Sequence, residues 1–190
     1  MRTTLIFTIA LLAPVYLHAG EETTKHRILG LSEPDREKDL REVVKTMPEV
    51  ELVSVDFNTT EATFKYDVAK LLTSYNPKKP PASEAVTKRL DELLRNASHT
   101  TFSLKPLATI PEDKLKKEEI PVGILDCKGC RYAAYIAIAK IEGVERAHLS
   151  HDPAVKSDKA ILSAWIDPAK TNRAALDEAL KKAHIDQPAH

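Results

Sequence analysis

The chain has little of several things, and each shortage excludes something. It has two cysteines in 190 residues. That rules out a disulfide framework and a four-cysteine zinc site. Lysine plus arginine number 28, and aspartate plus glutamate also number 28. Without a basic excess, neither a dedicated nucleic-acid binder nor an anionic-membrane binder is expected. Aromatics make up 5% of the chain, with a single Trp, so the core must be mostly aliphatic. No Gly-rich phosphate loop, Ser/His/Asp order or carboxylate pair stands out, and no enzyme is expected. Beyond the N-terminus there is no apolar run long enough to cross a bilayer.

The first 19 residues read as a secretory signal: a short basic start, an apolar run from Leu5 to Leu17, and Leu17-His18-Ala19 before Gly20. The expectation is an exported protein, periplasmic or secreted. An uncleaved N-terminal anchor is the alternative. Export would put the two thiols where they tend to oxidise.

The rest of the chain repeats itself. "MPEVELVSV" (47–55) aligns with "IEGVERAHL" (141–149), and the same ungapped register sets "RILGLS" (27–32) over "PVGILD" (121–126). One supersecondary unit used twice is the natural reading. The first copy spans 27–107 and the second 120–190, with a charged linker at 108–119 holding at most one helical turn.

In the first copy Ile28–Leu31 reads as a strand. Leu40, Val43, Val44 and Met47 fall at helical spacing. Val53, Val55 and Phe57 alternate on one strand face, and Ala62, Phe64 and Tyr66 on the next. Ser83 caps a second helix carrying Val86, Leu90, Leu93, Leu94 and Ala97, and Thr101–Leu104 closes the unit. The second copy follows suit. Val122–Leu125 is its first strand, and Ala134, Ala137, Ile138 and Ile141 are the inner face of its first helix. Val144–Ser150 and Ala160–Ile166 pair, and Thr171 caps the last helix. Its final strand is doubtful, because Pro188 follows closely. The fold class is α+β: two tandem ferredoxin-like βαββαβ sandwiches. Trp165 falls on the sheet face away from the helices, either covering an interface between the units or standing exposed. The histidines, His148 and His151 among them, lack ligand spacing and read as surface residues.

Both cysteines lie in Gly123-Ile124-Leu125-Asp126-Cys127-Lys128-Gly129-Cys130-Arg131. Cys127 follows a strand and Cys130 opens a helix, where unpaired N–H groups and the positive helix end favour thiolate. Lys128 and Arg131 push the same way. Gly129 eases the turn between the two sulfurs. Soft sulfur ligands select Cu(I), Zn(II), Cd(II) or Hg(II). Two protein ligands underfill a zinc shell but hold Cu(I) or Hg(II) nearly linearly. A structural disulfide in a module that binds another protein without metal, and a thiol–disulfide exchange pair, use the same residues and remain open at this point.

With Ala134, Ala137-Ile138, Ile141 and Gly143-Val144 following in step, the stretch from 120 to 185 resembles the heavy-metal-associated domain family. That family includes copper chaperones and the N-terminal domains of metal-pumping ATPases. The resemblance implies that Cys127 and Cys130 bind one soft metal ion, Cu(I) or Zn(II) foremost. It also implies that a metal-transport or acceptor protein is the partner. Leu125 replaces the family's Met beneath the turn. Asp126, before the first cysteine, is a third candidate ligand and favours zinc, as in zinc- and cadmium-pump domains. His184, where the family often has Gly before an aromatic, is a weaker candidate. The copy at 27–107 resembles the family in fold alone. Glu33 and Arg36 stand where the second copy has Cys127 and Cys130.

Overall fold

The structure is a computed structural model that describes residues 20–72, 76, 79, 81–123, 125, 127–150 and 160–185. The expected signal segment, Asp126 and His151 lie outside these residues.

The first unit contains β1 (Glu21–Leu29), α1 (Arg36–Lys45), β2 (Val50–Asp56), β3 (Glu61–Asp67), α2 (Val68–Leu71), α3 (Ser83–Ala97) and β4 (Ser103–Lys105). Its sheet order is β2-β3-β1-β4, with every neighbouring pair antiparallel. This is the strand order of a ferredoxin-like sandwich. The second unit follows with β5 (Lys116–Val122), α4 (Lys128–Ala139), β6 (Val144–Ser150), β7 (Ala160–Ile166) and α5 (Arg173–Lys182). Its order, β5-β7-β6, is the same plan less the closing strand, and it has three strands among the described residues. Each unit buries its own aliphatic core between helices and sheet. Phe64, Leu40, Leu90 and Leu94 centre the first, and Ile120, Leu162, Ile138 and Leu180 the second.

Several expectations shift. Both first strands start earlier than the apolar pattern suggests: β1 begins at Glu21 and β5 at Lys116. The early part of β1 is polar because that stretch faces water, and burial is continuous only over Arg27–Leu29. In β5 burial alternates, so Glu118, Ile120 and Val122 face inward while Lys117 and Glu119 face out. The linker therefore shrinks to a segment with one 3-10 turn, Glu112–Lys114. Gly123 and Leu125 lie in the loop after β5 rather than in the strand.

In β2 the register slips between Leu52 and Ser54, so Val53 is left 51% exposed instead of sharing an inner face with Val55. Ser83 is the first helical residue of α3, and the N-cap position falls to Ala82, which makes no side-chain capping bond. Asn172, not Thr171, caps α5, its side chain accepting the Ala175 N–H at 3.1 Å.

Among the described residues β5 has β7 as its one strand neighbour, and Arg173 Nη1 donates to its Glu119 carbonyl at 2.9 Å. Pro121 brings no N–H to the strand. Both features blunt an edge that would otherwise invite strand pairing.

The two units pack directly on each other. Leu29, from β1, belongs to the second unit's core. Arg27 forms a buried ion pair with Glu145 and also donates to the Pro106 carbonyl. The Leu149 N–H at the β6 edge donates to the Ser32 carbonyl at 2.7 Å. Phe57, just after β2, stacks on His148 of β6 at 4.1 Å between ring centroids.

Candidate functional site

The cysteine turn is built from the start of α4. Cys127 is the N-cap, in extended conformation, and its Sγ accepts the Cys130 N–H at 3.0 Å. One of the helix's orphan donors is thereby aimed at sulfur. Cys127, Lys128, Gly129 and Cys130 are all exposed. The two sulfurs are joined as a disulfide, with Cα atoms 5.1 Å apart. Reduced, the same geometry presents two thiols at one point, on a helix end that favours negative charge.

Gly129 sits in the first helical turn without a left-handed backbone. A Cβ there would lie 3.7 Å from Cys127 Sγ, an ordinary contact. Its small size leaves the sulfurs open, and no special dihedral is involved. Leu125 is buried beneath the turn and joins the second core.

Among the described residues no group of three His, Cys, Asp or Glu side chains gathers where it could hold a metal ion. His184 therefore does not join the cysteines. It is the left-handed residue (φ 55°) that ends α5. Its N–H donates to Lys181 O at 3.1 Å, and the Ile185 N–H donates to Leu180 O at 3.0 Å. This is a Schellman cap, with Ile185 turned onto the core. Asp126 falls outside the described residues.

The first unit's matching turn, Gly30 to Asp35, carries no thiol and is put to another use. It lies against α4. The Gly30 N–H donates to Tyr135 Oη at 3.0 Å. Gly30 has φ +110°, and a Cβ there would come within 2.3 Å of the Thr101 carbonyl oxygen, so only glycine fits. Tyr132 Oη donates to that same carbonyl at 3.0 Å. Glu33 pairs with Arg131 at 2.9 Å, and Arg131 Nη1 reaches the Leu125 carbonyl at 3.4 Å.

At the other end of α4, Lys105 Nζ donates to the carbonyls of Ala139 and Val144, each at 2.9 Å. Burial, with Arg27 nearby, pushes the Lys105 pKa down to about 8. Burial pushes the Tyr135 hydroxyl well up, so it stays protonated. The cysteine-bearing helix is thus held along its length by the first unit.

None of these docking residues was among the sequence candidates. The signal was present in α4 itself. From Tyr132 to Ala139 it is apolar all round, which marks a helix buried on more than one face. Trp165 does lie near the junction: Arg146 stands over its ring at 4.2 Å, Lys117 at 5.2 Å, and His148 meets its edge at 5.1 Å.

The fold and turn define a class: a tandem ferredoxin-like protein with one exposed Cys-x-x-Cys turn at a β–α junction. No protein-family model matches the chain, and no curated protein matches it. Two solved structures are similar to it at 16% identity. One is the water-soluble region of the P-type ATPase CopA from Bacillus subtilis (88% of this chain and 90% of that one, TM-score 0.31). The other is the N-terminal soluble domains of Bacillus subtilis CopA (90% and 99%, TM-score 0.30).

Proposed function

We propose that this is an exported carrier or scavenger of a soft metal ion, held by Cys127 and Cys130 as a dithiolate. The observation that carries the reading is the placement of both sulfurs, exposed and within bonding reach, at the capped N-terminus of α4. Two thiolates on a rigid helix end suit the near-linear coordination of Cu(I) or Hg(II). Zn(II) prefers four ligands and would need donors beyond the pair, Asp126 being the nearest in sequence. Export rests on the reading of residues 1–19. The partner would be a protein that gives or takes the ion through its own sulfur ligands, without chemical turnover at this chain.

A structural staple is a poor fit. A disulfide closing so short a loop contributes only about 2 kcal/mol. This one is exposed, and the second unit's core together with the first unit's hydrogen bonds to Tyr132 and Tyr135 already hold the helix. The bonded, exposed pair does favour a second reading, thiol–disulfide exchange with an external dithiol.

One comparison separates the readings. Reduced full-length protein is expected to retain one equivalent of Cu(I) or Hg(II) after desalting, and Cys127→Ser/Cys130→Ser is expected to retain none. Equal retention by the double variant would sink the metal reading. Rapid turnover of a model disulfide by protein that holds no metal would favour exchange.

A further inference from the structure

We infer that the Glu33–Arg131 pair sets how strongly the cysteine turn prefers a monovalent soft cation over a divalent one. The inference rests on the metal reading above and assigns the first unit a part in it.

Arg131 directly follows Cys130 and is tied to the turn twice. Its backbone N–H donates to the Cys127 carbonyl at 3.0 Å, and its guanidinium reaches the Leu125 carbonyl at 3.4 Å. Glu33 comes from the first unit, where it stands at the position of Cys127 in the repeat, and lies 2.9 Å from the guanidinium. Both side chains are mostly buried, at 15% and 19% exposed. The pair is therefore fixed rather than fluctuating in bulk water, and its field at the turn is less screened than that of a surface pair.

The two cargo classes differ in the charge they leave behind. A monovalent ion binds as M⁺ + 2 RSH → [M(SR)₂]⁻ + 2 H⁺, giving an anionic complex. A divalent ion binds as M²⁺ + 2 RSH → M(SR)₂ + 2 H⁺, giving a neutral one. Each reaction releases two protons, so thiol acidity cancels when the two affinities are compared. What remains is the local charge. An uncompensated Arg131 favours the anionic complex, and Glu33 offsets that preference. Glu33 acts here as a positioning and charge-setting residue, not as a ligand.

The test is the ratio of Cu(I) to Hg(II) affinity in the reduced full chain, each measured by competition with a chelator. Glu33→Gln is expected to raise the ratio roughly two- to five-fold. Arg131→Gln is expected to lower it by a similar factor. The double variant should return close to wild type, as should Glu33→Asp. Loosening of the turn would weaken both ions together and leave the ratio unmoved, so the opposite signs are the signature. In 1 M salt both shifts should shrink. A ratio unchanged in both single variants, or moved in the same direction by both, overturns the inference while leaving the metal site standing. Wild-type protein that binds neither ion overturns the parent reading and this one with it.

Discussion

His148 lies between Phe57 and Trp165 with cations close by. Its side chain is half-buried at the junction of the units, where the lack of ligand spacing suggested a surface residue. Burial pushes its pKa down to about 4; a contact with the Phe57 backbone opposes this, Arg146 and Lys117 add to it, and Asp56 weakly opposes. An unfolded histidine titrates near 6.5. The stability tied to the neutral ring is therefore fully present above about pH 6.5 and is lost as pH falls from there towards 4. The urea midpoint of the wild type should be lower at pH 5.5 than at 7.5, and His148→Phe should show a smaller drop. An equal drop in both proteins would remove His148 from that role. The other candidates divide on physical grounds. The place of Cys127 and Cys130 at the start of α4 was legible because an apolar strand pattern precedes them and a helical one follows. His184 ends α5 as a left-handed cap, a role that draws on the backbone and leaves no periodic mark.

Among the elements, α4 carries the account. Its inner face, Ala134 and Ile138, was readable from spacing. That Tyr132 and Tyr135 form a second buried face is marked by the all-round apolar run, but what they meet is not, because their partners are backbone groups of Gly30 and Thr101, about a hundred and about thirty residues away in sequence. No local pattern encodes such a contact. The opening strands failed for a different reason. The leading residues of β1 and the outward residues of β5 are polar, so hydropathy alternation fades where the sheet continues. The ferredoxin-like order was nevertheless legible, since it depends on the sequence of elements and not on their ends. Tyr135→Phe tests the α4 contact directly. It leaves the Gly30 N–H without its acceptor in a buried place, and should cost about 1 to 3 kcal/mol in thermal or urea unfolding. A change within a few tenths would mean that water or another acceptor replaces the hydroxyl.

At the scale of the whole molecule, two units of one plan divide the labour. One copy carries the exposed Cys-x-x-Cys turn. The other has turned the matching loop into a docking surface, with Gly30, Ser32 and Glu33 all engaged by the second unit. The repeat was visible in the sequence, but the packing of the copies was not. It depends on Arg27, Lys105 and Glu145, charged residues that composition assigns to the surface. Such an interface predicts that both units unfold together. Calorimetry on the full chain should show one transition with equal calorimetric and van't Hoff enthalpies, and two resolved transitions would contradict it. The central claim, however, concerns the sulfurs. Copper-edge X-ray absorption on reduced, full-length protein loaded with one equivalent of Cu(I) tests it most directly. The account predicts a first coordination shell of two sulfur neighbours, absent from Cys127→Ser/Cys130→Ser. A shell of nitrogen and oxygen, or copper that washes away from the wild type, would contradict it.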